Sequence, residues 1–83
     1  MSREIVFVTR AGCGLCDAAL PEVERWANRL GLTVRTVDVD RDGSADRYGD
    51  RVPVVLGGGR EITSGRIRTT PLVLGMMRAR LHR

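Results

Sequence analysis

The sequence contains no lysine, and all fourteen of its cationic side chains are arginine. Aromatic residues are almost as scarce, with one Phe, one Trp and one Tyr in 83 residues. These three, Phe7, Trp26 and Tyr48, lie outside the arginine-rich end of the chain. The ring platforms on which single-stranded nucleic acids stack are therefore missing there, and a nucleic-acid partner is not expected. No apolar run approaches the ~20 residues of a membrane span, so no membrane partner is expected either. The start, Met1-Ser2-Arg3-Glu4, runs directly into the apolar segment Ile5 to Val8, which is too brief for a signal-peptide core. Two cysteines are too few for the multi-bridge framework of small secreted domains. A cytoplasmic protein is the expectation.

What is present fits one small globule, a single domain over residues 1–83. Apolar residues make up 42% and charged residues 29%, a balance that excludes a disordered tail. The net charge of +4 is unevenly placed. Residues 62–83 hold five arginines and no acid, whereas residues 1–61 hold nine arginines against ten acids. The basicity belongs to the last quarter of the chain.

The apolar pattern predicts an α/β order of βαβαββα. Ile5-Val6-Phe7-Val8 reads as a strand buried on both faces. From about Cys13 to Leu30, residues Cys16, Leu20, Val23, Ala27 and Leu30 fall on one helical face, and Gly31 stops the helix. Thr33 to Val39 reads as a second strand, parallel to the first because a helix crosses between them. Asp40 to Gly49 reads as a loop with a short helix at Ser44–Tyr48, and Val52 to Leu56 as a third strand opened by Pro53. Gly57-Gly58-Gly59 turns a hairpin into a fourth strand near Glu61–Thr63. The last helix is expected to start at Thr70 as N-cap with Pro71 first inside it, and to run through Leu72, Val73, Met76, Met77 and Leu81. The expected form is a mixed four-stranded sheet with helices on both faces.

The chemistry concentrates at Cys13-Gly14-Leu15-Cys16, on the seam between the first strand and the first helix. Cysteines three apart on a helical turn can close a disulfide. A cysteine at a helix N-terminus meets unpaired N–H groups and the positive end of the dipole. Both favour the thiolate, the species that attacks disulfides. Cys13, at the exposed tip, is then the nucleophile and Cys16, one turn inside, the resolving thiol. Arg10 is expected to add a nearby cation. The same spacing also serves zinc and iron–sulfur sites. With only His82 as a further soft ligand, such a site would need a dimer sharing the cysteines of two chains.

On these residues the sequence resembles the small glutaredoxin-like proteins of the thioredoxin superfamily, over essentially the whole chain. The matching pieces are Val8-Thr9-Arg10-Ala11-Gly12-Cys13-Gly14-Leu15-Cys16, then Arg51-Val52-Pro53-Val54, then Gly57-Gly58. Pro21 resembles the proline that many thioredoxin-like proteins carry within this helix. The resemblance implies a cis peptide before Pro53, facing the cysteine pair, with the backbone of Val52 offered to an incoming chain. It also implies that Gly65 and Arg66 flank a bound thiol. This chain departs from the usual pattern in three places: Gly14-Leu15 replaces Pro-Tyr, Arg51 replaces Thr, and Arg66 stands where acidic or polar residues are common. Glutathione and other low-molecular-weight thiols are accordingly candidate co-substrates, alongside disulfide-bearing proteins, and no resident cofactor is expected. A reductase would recycle the dithiol, and the chain is expected to act as a monomer.

Other signals are weaker. Asp38-Val39-Asp40-Arg41-Asp42-Gly43 copies the opening of an EF-hand loop, but Gly49 stands where the bidentate Glu belongs. Gly57-Gly58-Gly59 lacks the Lys and Ser/Thr of a phosphate loop. Trp26, Met76 and Met77 sit at core spacing, and His82 at the chain end has no evident role. Arg78, Arg80 and Arg83 suit the negative end of the last helix. Arg66 and Arg68 precede that helix, where cations gain nothing from its dipole, and are expected to favour a carboxylate-bearing thiol or an acidic client.

Overall fold

A computed structural model describes residues 3–81, and His82 and Arg83 lie outside the described residues. The chain folds as β1 (Glu4–Thr9), α1 (Gly14–Arg29), β2 (Thr33–Asp38), α2 (Val39–Asp42), α3 (Ala45–Tyr48), β3 (Val54–Gly57), β4 (Arg60–Ser64) and α4 (Thr69–Leu81). The strands form one sheet in the order β2-β1-β3-β4. β1 runs parallel to β2, from Glu4 opposite Thr33 to Thr9 opposite Asp38. β1 and β3 are antiparallel, as are β3 and β4. This is the mixed four-stranded α/β sheet expected from the pattern, in the thioredoxin-like arrangement that the resemblance implies.

The uninterrupted apolar run of β1 has a direct cause, because side chains alternate across a strand and both faces of this one are covered. Ile5 and Phe7 enter a core with Val55 of β3, Cys16, Val23 and Ala27 of α1, and Leu72, Met76 and Ala79 of α4. Val8 faces the other way, into a smaller cluster with Val39 and Val54 that Ala45 and Tyr48 flank. Two long helices thus pack on one face, and two single helical turns on the other. Close contact of α4 with β4 depends on Gly75, where a Cβ would run into the side chain of Ile62.

Several boundaries differ from expectation. The segment after β2 forms helix at Val39–Asp42 as well as at Ala45–Tyr48. The Asp38 carboxylate accepts the Asp40 N–H at 2.8 Å to start the first turn, and Gly43, at φ 81°, ends it. The ladder of β3 begins at Val54, not Val52, since Pro53 has no N–H to give it. The last helix starts at Thr69, with the Leu72 N–H donating to Arg68 O at 3.2 Å. Thr70 is therefore no N-cap, and Pro71 sits inside the first turn, where its missing N–H costs nothing. Pro21 lies inside a continuous α1. Met77 and Leu81 are exposed, so of the methionine pair only Met76 joins the core.

Candidate functional site

Three short stretches converge on one end of the sheet. The first is the turn after β1. Cys13 closes it through its N–H to Arg10 O at 3.3 Å, and Gly12 takes a left-handed φ of 76° that β-carbon-bearing residues avoid. Cys13 is then the N-cap of α1, with extended backbone angles, and the Cys16 N–H donates to its Sγ at 3.1 Å. The sulfurs of Cys13 and Cys16 lie at disulfide distance, with Cα atoms 5.2 Å apart. Their surroundings are unequal. Cys16 is buried among the core residues, whereas Cys13 is half-buried at the core's rim and Leu15 between them is 49% exposed.

The second stretch is Arg51-Val52-Pro53. The Val52–Pro53 peptide is cis. Val52 is half-buried against the same core cluster that Cys13 and Ile67 border. Among the described residues no hydrogen bond engages the backbone N–H or C=O of Val52. The third stretch fixes the second. Gly65, at φ 68°, donates its single N–H to both Arg51 O and Pro53 O, each at 2.9 Å. A glycine expected to flank the substrate thus clamps the two carbonyls on either side of Val52. Arg66 follows it directly, exposed and without an ion pair among the described residues.

Arg10 is not a free cation beside the cysteines. Its Nε and Nη2 donate to the two oxygens of Asp40 at 3.0 and 2.9 Å, and its Nη1 to Gly49 O at 3.2 Å. This bidentate bond holds the Asp40 carboxyl below the usual carboxylate range and raises Arg10 above its ordinary value. Arg10 therefore ties the loop that carries Cys13 to α2 and to the end of α3. Gly49 must be small here, since a Cβ would press on Ala45 O and on Arg10 itself. Nothing in the sequence links Arg10 with Asp40 thirty positions away. Arg51, the departure from Thr, pairs with Glu61 at 2.8 Å and lies 5.6 Å from the ring centre of Tyr48. The acidic run after β2 is spent within the protein, Asp40 on distant Arg10 and Asp42 on neighbouring Ser44, and the latter bond holds the Asp42 carboxyl low. Among the described residues no three His, Cys, Asp or Glu side chains gather to hold a metal ion. No helix there is long and apolar enough to cross a membrane.

Comparison with known proteins agrees with this fold. Residues 4–73 match the Glutaredoxin-like domain (DUF836). The chain belongs to the glutaredoxin-like domain family. Uncharacterized proteins of Mycobacterium bovis and of Mycobacterium tuberculosis are 38% identical to it over 68 residues, 74% of this chain and 70% of theirs. Thioredoxin 1 from Thermosipho africanus shares its fold at a TM-score of 0.68 and 21% identity, covering 90% of this chain and 91% of that one. Within the glutaredoxin-like family, this chain combines the CxxC pair at disulfide distance with a thioredoxin-like sheet.

Proposed function

We propose that the protein is a thiol–disulfide oxidoreductase, with Cys13 as nucleophile and Cys16 as resolving thiol. The observation that carries this reading is the unequal placement of the pair. Cys13 caps α1 at the surface and accepts the Cys16 N–H, while Cys16 lies buried behind it. In the reduced protein that N–H and the helix dipole would stabilise the Cys13 thiolate.

The cycle balances with two thiols and two electrons. The Cys13 thiolate attacks one sulfur of a substrate disulfide and expels the other as a thiolate, leaving a mixed disulfide. The Cys16 thiolate then attacks Cys13 Sγ, releasing the second substrate thiol and closing the Cys13–Cys16 disulfide. A dithiol or reductase supplies the two electrons that reopen it, so the step needs no resident cofactor. Val52 supports a docked chain through its unengaged backbone groups, and Gly65 holds that backbone in place through the carbonyls of Arg51 and Pro53. Arg66 offers a fork to a carboxylate on the substrate, glutathione or another small thiol included. A reducing cytoplasm is the compartment in which such a dithiol would turn over.

The test is trapping. Cys16→Ser is expected to accumulate a mixed disulfide on Cys13 that mass spectrometry identifies, and Cys13→Ser to accumulate none. A small-thiol adduct would support a glutaredoxin-like role, and protein adducts a thioredoxin-like one. If both variants retained full disulfide-reducing activity, the reading would be wrong. The metal-carrier alternative, with cysteines shared by two copies, predicts colour or bound metal after anaerobic purification, and dimers by sedimentation.

A further inference from the structure

The outer side of α4 faces away from the core, yet it is apolar. Leu74, Met77 and Leu81 are 50%, 46% and 81% exposed. Their spacing of three and four residues places them in one stripe. At about 100° per residue, that stripe lies opposite Leu72, Met76 and Ala79, which the helix buries in the core. A surface helix ordinarily has one apolar stripe and a polar reverse, whereas α4 has two apolar sides.

On α4 and the β3–β4 hairpin, the charges that make no ion pair among the described residues are arginines. A groove of about 260 Å³ runs beside it, between α4 and the β3–β4 hairpin, and Gly57, Gly75, Ile62, Arg60 and Arg78 line it. Glu61 also lines the groove, but Arg51 holds its carboxylate. Among the described residues Arg60, Arg66, Arg68, Arg78 and Arg80 make no ion pair, and no acid follows Glu61 in the sequence. A second copy of the chain would bring a like-charged cluster against this one. A concave groove with two unpaired guanidinium forks suits a discrete carboxylate better than a flat layer of headgroups.

We propose that the outer face of α4 docks an acidic protein segment. Apolar side chains of that segment cover Leu74, Met77 and Leu81, and one of its carboxylates enters the groove lined by Arg60 and Arg78. The surface is separate from the cysteine pair and does not rest on the thiol chemistry.

The probe is a cysteine-free synthetic helix with leucines at i, i+3 and i+7 flanked by glutamates, titrated calorimetrically into the full chain. Binding is expected, weakening as salt is raised. Leu74→Ser with Met77→Ser should raise the Kd by about tenfold or more, as loss of central apolar contacts does. Arg60→Gln with Arg78→Gln should weaken binding and flatten its salt dependence. Circular dichroism checks that both double variants stay folded. The proposal is overturned by any of four results: no binding by the wild-type chain, equal binding of a peptide with lysines for glutamates, sedimentation as an α4-dependent dimer, or tighter binding to phosphatidylglycerol vesicles than to the peptide.

Discussion

Residues 3–61 and residues 62–81 handle charge differently. In the first stretch Arg10, Arg25, Arg35 and Arg51 each meet a carboxylate, at Asp40, Glu22, Glu4 and Glu61. In the second no arginine does so among the described residues. The contrast is sharpest between the two long helices, which lie on the same face of the sheet and are joined by the Thr69 hydroxyl donating to Glu22 at 2.7 Å. Leu15 beside the cysteines apart, α1 is closed outward. It has one apolar face, an acid in its first turn at Asp17 and a surface ion pair between Glu22 and Arg25. α4 has no acid in its first turn, two arginines in its last, and apolar side chains pointing both ways. One helix is finished by its own fold, and the other leaves unspent the kind of surface that recognition uses.

The comparison can be pressed by substitution. The largest effect is expected across α4 itself. Leu72→Ala empties a fully buried position and should cost about 2–5 kcal/mol of stability. Leu74→Ala on the opposite side should stay within about 0.5 kcal/mol, as read from denaturant midpoints. Similar losses at the two positions would mean that the outer stripe is structural after all. Next comes Gly75→Ala, which drives a methyl group into Ile62 and should cost about 1–3 kcal/mol by overpacking. Retained stability there would show that α4 can slide on β4.

The smallest effect concerns the paired region. Asp40 titrates below its ordinary value of 3.8 because Arg10 binds it. A carboxylate lowered on folding adds stability above its unfolded pKa, and that contribution is lost as pH falls through the lowered folded value. Arg10→Ala should therefore move the Asp40 titration, followed by NMR, upward toward the ordinary carboxylate range. The acid-side loss of stability attributable to Asp40 should disappear with it. An unchanged Asp40 titration would mean that the pair is not maintained in solution.

Much of this was open to a reading of the sequence. The β-branched run of β1, the 3.6-residue periodicity of α1 and the glycine turn between β3 and β4 each follow from local chemistry. The cysteine pair is visible because its spacing of three can be read directly from the chain. The structure adds most where a distant partner overrides a local signal. Thr70-Pro71 looked like a helix start, yet α4 begins earlier, at Thr69, whose hydroxyl reaches Glu22 on α1. Arg10 looked like a cation for Cys13 because it is close in sequence, whereas Asp40 and Gly49 claim it in space. Gly65 could be marked as a neighbour of the site, but not as the donor that clamps Arg51 and Pro53. Met77 fits the helical period as well as Met76, and only the docking of α4 against Ile62 decides which of the two is buried.

The absence of lysine and the crowding of arginine after Glu61 are properties of the sequence itself, and so are the thiol pair and most of the succession of strands and helices. Those properties depend on residue type and on neighbours a few positions away. Which arginines are spent and which are free was decided by the fold alone. An ion pair needs two groups within about 4 Å, and that distance is set by sheet register and helix docking, not by separation along the chain. For the same reason the sequence shows that α4 is apolar, and only the packed structure shows that Leu74, Met77 and Leu81 are left exposed.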